Sequence, residues 1–289
     1  MTPFFQKPTS QRPANVTPEI SRSRPWRPEV QEVGQFLHRL AEGERELALA
    51  QRQIRLFASD LPAPADEAHR RRTREIQAIH RDTISRLMRA AHFRDHETGT
   101  HLARISRLSG LLAHELGLPA ERVRAIETAA ALHDVGKIGI EDAILHKPGP
   151  LDDDEWELMK RHTLLGAELL AGSSSPLLEL GREIALYHHE CWDGSGYPHG
   201  LRAEEIPLPA RIVMICDVYD ALRSERPYKP AYDHHTVCGI LLAGDGRTRP
   251  EHFDPRLLDL FRRSHRRFEA EWRALRHEQE HPVLAELCA

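Results

Sequence analysis

His133-Asp134-Val135-Gly136-Lys137-Ile138-Gly139-Ile140 sits inside a stretch, residues 86–265, in which almost every segment reads as helix. Strand alternation is absent from this stretch, so the expected fold class is all-α. Before the quoted segment, Gly117 stops one helix and Pro119 opens the next, whose face includes Val123, Ile126 and Ala130. After it, Asp152-Asp153-Asp154 supply acidic first-turn residues for a helix running through Leu158, Met159, Leu165 and Leu169. Further helices are predicted over 176–190, 208–224, 232–243 and 254–279. Between the first two lies a Gly- and Pro-rich stretch, residues 191–207. A long irregular loop in a compact helical domain is more often functional than accidental.

Toward the N-terminus the pattern changes. Residues 1–28 carry Pro3, Pro8, Pro13, Pro18, Pro25 and Pro28 without apolar periodicity and read as a disordered tail. Residues 29–85 read as helical: Val30, Val33, Leu37, Leu40, Leu47 and Ile54 fall on a coiled-coil-like seam weakened by Glu44 and Gln51. After a break at Leu61-Pro62-Ala63-Pro64, a second helix carries Ile76, Ile79, Ile84, Leu87 and Met88. These helices either cover the main domain or act as dimerising, signal-transmitting elements, which makes a homodimer the expected assembly through them. Residues 266–289 are expected to form a C-terminal helical tail with a solvated Arg-rich face.

Of the 289 residues, 40% are hydrophobic and 29% charged, which points to a soluble globular chain. The longest aliphatic run, Ile212-Val213-Met214-Ile215, is far short of the roughly 18 to 20 residues that span a bilayer. With no signal-type N-terminus, the expected location is cytoplasmic. A net charge of −4 does not favour long nucleic acid as a partner. The four cysteines form no C-x-x-C pair and read as free thiols in a reducing compartment. Histidine is the outlier, with 19 residues.

An adjacent His and Asp at a helix end can place an imidazole nitrogen and a carboxylate oxygen on neighbouring metals, and Lys137 one turn on can meet a phosphate oxygen. Upstream, Glu97 and His101 are four apart on one helical face. Downstream come His162, the pair His188-His189, and Asp217 with Asp220 in an otherwise apolar helix. Carboxylates in such a helix are costly unless paired or coordinated. Eight candidate ligands (Glu97, His101, His133, Asp134, His162, His188, His189, Asp217) exceed one mononuclear site and suggest two or three metals. Nitrogen and oxygen donors without thiolate favour iron, manganese or zinc.

The string from His133 to Ile140, followed by His188-His189-Glu190-Cys191-Trp192-Asp193-Gly194-Ser195-Gly196-Tyr197-Pro198, resembles the HD-GYP family of HD-domain phosphohydrolases. The likeness continues through Lys147-Pro148-Gly149, Ile206-Pro207, Asp217-Val218-Tyr219-Asp220-Ala221-Leu222, Arg226-Pro227-Tyr228-Lys229 and His252-Phe253-Asp254-Pro255. It implies an HD-type helical bundle over residues 86–265 that hydrolyses cyclic di-GMP to pGpG or GMP, using two or three divalent ions, iron or manganese. A hydroxide held between two metals would attack phosphorus. By motif, the same eight residues are the implied ligands, with Asp134 bridging metals, and Lys137 is the implied phosphate contact. Asp220, Arg226 and Lys229 match positions that bind the dinucleotide. The loop with Gly196, Tyr197 and Pro198 is expected near the site, either as a docking surface for a signalling partner or as a loop packed over the domain. Alternatives are another cyclic dinucleotide, such as 3′,3′-cyclic GMP-AMP, or a non-catalytic cyclic di-GMP sensor. Cys191 and Cys216 are expected to be ordinary thiols, and His92, His96, His114, His234 and His235 surface or packing residues.

Overall fold

A computed structural model describes residues 67, 71–72, 99–225 and 231–276 of the chain. The expected tail at 1–28, nearly all of the helices at 29–85 with their dimer role, and residues 277–289 lie outside the described residues. Helix α1 (Gly99–Glu115) is followed by α2 (Ala120–Ala130), a short 3-10 turn (Val135–Gly139) and α3 (Asp142–Leu145). Then come α4 (Asp153–Lys160), α5 (His162–Leu170), α6 (Pro176–Tyr187), α7 (Leu208–Arg223), α8 (His234–Ala243) and α9 (Pro255–Arg276). No strand occurs among the described residues, so the all-α expectation holds.

Helix α7 is the axis of the fold. It is buried on all sides, from Ile212 through Ala221, which is why its sequence is apolar almost throughout. Helices α1, α6, α8 and α9 pack around it, and α2 packs against α1 and α6. Ile105, Leu108, Leu112, Ile126, Ile184, Ile215, Val237, Phe261 and Phe268 meet in one core. Gly117, at φ +79°, reverses the chain after α1 at little cost, a conformation that other residues resist. No described helix is long and apolar enough to cross a membrane.

One local difference from the sequence reading matters for the site. The helix expected from Asp152 through Leu169 is two helices, α4 and α5, meeting at Arg161. Its start is as expected: Asp152 and Glu155 form a reciprocal capping box, with Glu155 N donating to Asp152 Oδ1 at 2.9 Å. The break turns His162 inward, where its Nδ1–H donates to Met159 O at 2.8 Å. Helix α9 runs unbroken through residue 265, within the helix expected over 254–279. Leu257, Phe261, Phe268, Trp272 and Leu275 recur on its buried face, and the arginines lie on its outer face, as expected. Asp254, in His252-Phe253-Asp254-Pro255, ties the start of α9 to α7 through Arg211 at 2.7 Å.

Candidate metal centre

The turn after α2 carries His133 and Asp134 to the inner end of the bundle, and four other elements supply side chains to the same place. Ligand-capable atoms of Asp134, His162, His188 and His189 lie within 4.8 Å of one another, as do those of His101, His133 and Asp217. The adjacent pair His133-Asp134 joins the two groups, with His133 Nε2 3.3 Å from Asp134 Oδ2. Asp134 Oδ1 lies 3.3 Å from His162 Nε2 and 3.5 Å from His188 Nε2. Seven of the eight expected ligands are therefore brought together; the eighth, Glu97, lies outside the described residues, as do Arg226 and Lys229.

The backbone orients the rings. His133 Nδ1–H donates to Ala130 O at 2.9 Å, and His188 Nδ1–H to Ile184 O and Ala185 O at 3.0 Å each. With His162 fixed in the same manner, three imidazoles keep their protons on the outer nitrogen and turn Nε2 lone pairs toward a shared centre. His133 Nε2 and Asp134 Oδ1 are buried and engaged in no hydrogen bond. Lone pairs gathered around two buried carboxylates repel one another unless cations sit among them. The residues thus fit divalent metal ions.

The electrostatics agree. Burial pulls His162 down to about 3 and His189 well below the usual imidazole value, so both are neutral ligands at pH 7. Burial also favours neutral His133, yet Asp134 and Asp217 outweigh it and raise this ring to about 9. Positive charge is favoured between the two carboxylates. Asp134, which burial alone would raise, is held well below the usual carboxylate range by Lys137 and His133. Lys137 is itself buried, with Nζ 2.7 Å from Asp134 Oδ2. Burial pushes Cys191 up to about 12 and raises Cys216 as well, so both are ordinary thiols at neutral pH.

Asp220 is placed differently from the expectation of a substrate contact. It is fully buried behind His101, whose Nδ1–H donates to Asp220 Oδ2 at 2.7 Å. Arg104 forks onto the same carboxylate, and Trp272 Nε1–H donates to Oδ1 at 2.7 Å. Arg223 stacks on that indole, 4.3 Å from the ring centroid. Both oxygens are spent on donors, so Asp220 orients His101 as a carboxylate orients a ligating imidazole. Arg104 and Trp272 were missed in the sequence reading. Arg104 could have been suspected, being one turn from His101 on the same face, whereas nothing local marks Trp272. We expect Asp220→Asn to lower metal affinity about 10- to 100-fold. Metal content per chain after dialysis against graded chelator checks this, and unchanged retention would remove the orienting role.

The loop after α6 is shaped by Glu190, whose buried carboxylate accepts the backbone N–H groups of His199, Gly200 and Leu201 at 2.7, 3.1 and 3.0 Å. A Cβ on Gly196 would fall on Cys191 N and His189 O and lie 2.6 Å from Glu190 Cα, so only glycine fits. This close approach lays Tyr197 on the site: its ring stacks on His189 at 4.7 Å and meets Trp156 edge-on at 5.9 Å. Tyr197 therefore faces the histidines, while Ser195 and His199, on either side of it, are exposed.

The sequence matches the family described as "HD domain" over residues 85–257. It is 50% identical over 195 residues to the cyclic di-GMP phosphodiesterase response regulator RpfG of Xanthomonas campestris pv. campestris, covering 68% of this chain and 50% of that protein. It is 53% identical over 139 residues to a cyclic di-GMP phosphodiesterase of Thermotoga maritima, covering 48% and 38%. It is 41% identical over 186 residues to the 3'3'-cGAMP-specific phosphodiesterase 2 of Vibrio cholerae, covering 64% and 35%. The chain spans half or less of the length of these relatives.

Proposed function

The chain belongs to the HD-domain family, and from that premise we propose that it is a metal-dependent phosphodiesterase that hydrolyses cyclic di-GMP to pGpG or GMP. The observation that carries the reading is the junction of two His/carboxylate groups at His133-Asp134, with their lone pairs converging. Relatives named as cyclic di-GMP phosphodiesterases support the substrate. His101, His133, Asp134, His162, His188, His189 and Asp217 would hold two or three ions, with Glu97 completing the set, and the all-N/O donors suit iron or manganese. When bound, such ions supply the Lewis acidity that activates water and polarises a phosphodiester.

The chain's own residues have distinct parts in this reading. Lys137, paired with Asp134, is available to offset charge on a non-bridging phosphoryl oxygen as it develops. Tyr197, backed by Trp156, covers His189 on one side. Arg226 and Lys229 would bind the dinucleotide, and a signalling partner at the loop would meet Ser195 and His199. Buried free thiols accord with a cytoplasmic location.

A second reading, a phosphodiesterase for 3′,3′-cyclic GMP-AMP, is favoured by the Vibrio cholerae relative of that name. Anaerobic incubation of Fe(II)- or Mn(II)-loaded protein with each cyclic dinucleotide, followed by chromatography, separates the two. Faster conversion of cyclic di-GMP is the expected result. Preference for the mixed dinucleotide would install the second reading, and binding without turnover of either would make the chain a sensor.

A further inference from the structure

A separate cluster lies at the seam of α8 and α9. His234 and Cys238 are four residues apart on α8, and His265 and Glu269 four apart on α9, so each pair shares one helix face. The two faces meet. His234 Nε2 lies 2.9 Å from His265 Nδ1 and 3.5 Å from Cys238 Sγ, with Glu269 Oε2 3.9 Å away. One ligand atom each from His234, Cys238 and His265 lies within 4.8 Å of the other two. Arg273 holds the other oxygen of Glu269 at 2.5 Å, which leaves Oε2 toward His234. Tyr219 Oη, 2.8 Å from His234 Nδ1, fixes this buried ring so that Nε2 is the nitrogen turned to the cluster. His234, read from the sequence as a surface or packing residue, is the centre of the group.

We propose that His234, Cys238 and His265, with Glu269 as fourth donor, bind a divalent cation of the zinc class. Two imidazoles, one thiol and one carboxylate are a tetrahedral zinc donor set, and the sulfur separates this site from the His/Asp centre, which has none. Zinc about 2.0 to 2.1 Å from nitrogen and about 2.3 Å from sulfur places its ligand atoms roughly 3.3 to 3.6 Å apart. The Cys238–His234 separation already matches, and the two rings need part by only a few tenths of an ångström. Binding exchanges the Cys238 thiol proton, released to solvent, for a sulfur–metal bond. The ion would staple α9 to α8, against Tyr219 of the helix that carries Asp217, and so hold Trp272 in place behind His101.

The test uses Co(II) as the probe on the full chain after chelator treatment, because thiolate-to-cobalt charge-transfer absorption appears only where sulfur ligates the ion. Wild type and Asp134→Ala should both show this near-ultraviolet band, and zinc should bleach it. Cys238→Ser should lack it, and His265→Gln should weaken Co(II) affinity at least about tenfold, with folding of each variant checked by circular dichroism. No band in wild type overturns the proposal, as does a band that survives Cys238→Ser. If the serine variant does not fold, His265→Gln decides: an unchanged titration overturns the site.

Discussion

Asp134→Ala is expected to lower the proposed cyclic di-GMP turnover by about a hundred- to a thousandfold and to lower the metal content of the chain. Asp134 touches both halves of the centre: His133 and Lys137 through Oδ2, and His162 and His188 through Oδ1. Its loss would remove a carboxylate able to hold ions between the two groups, and takes from buried Lys137 the carboxylate paired with it. Asp134→Asn keeps the shape and removes the charge, so it separates the electrostatic part from the steric part. Both variants should fall far below wild type in an anaerobic assay resolved by chromatography, with metal per chain measured alongside. Turnover within about threefold of wild type, against the loss expected when such a group is removed, would remove Asp134 from the chemistry.

Gly136→Ala should destabilise the fold by about 3 kcal/mol or more. The 3-10 turn after Asp134 passes so close to α5 that a Cβ on Gly136 would fall on His162 O and Gly166 N and lie 2.9 Å from Gly166 Cα. These are backbone atoms, with no flexible end to swing aside, so α5 must back away and take His162 with it. Stability and metal retention are therefore expected to fall together. Gly166→Ala is the graded comparison: its Cβ would sit 3.1 Å from the Ala185 methyl and 3.2 Å from Gly136 N, contacts relieved by shifts of a few tenths of an ångström. That variant should cost about 1 kcal/mol. Urea unfolding midpoints rank the two, and a Gly136→Ala midpoint equal to wild type would show that the turn yields where the geometry says it cannot.

Much of the site is legible in the sequence. Asp217 and Asp220 declared themselves as charges in a helix too apolar to carry them without partners, and both are buried as that argument required. Their partners were not legible. Asp220 was assigned to substrate through family likeness, yet it meets His101 from 119 residues away and Trp272 from 52. Periodicity shows which face of a helix is buried, but not which other face covers it. The same limit hid the seam of α8 and α9, where His234 and His265 each looked like one of 19 unremarkable histidines.

Family resemblance supplied the ligand set around His133-Asp134, whereas the local pattern alone determined the helical class, most helix boundaries and the need of Asp217 and Asp220 for a cationic partner. Those follow from short-range physics: helical periodicity, Gly and Pro at helix ends, and the cost of burying charge. The tertiary structure alone decided that α9 belongs to the core, that Asp220 stands behind a ligand, and that two i, i+4 pairs face each other across a seam. Those depend on how whole helices pack, and the packing is settled by side chains far apart in the chain that become neighbours only when the core closes.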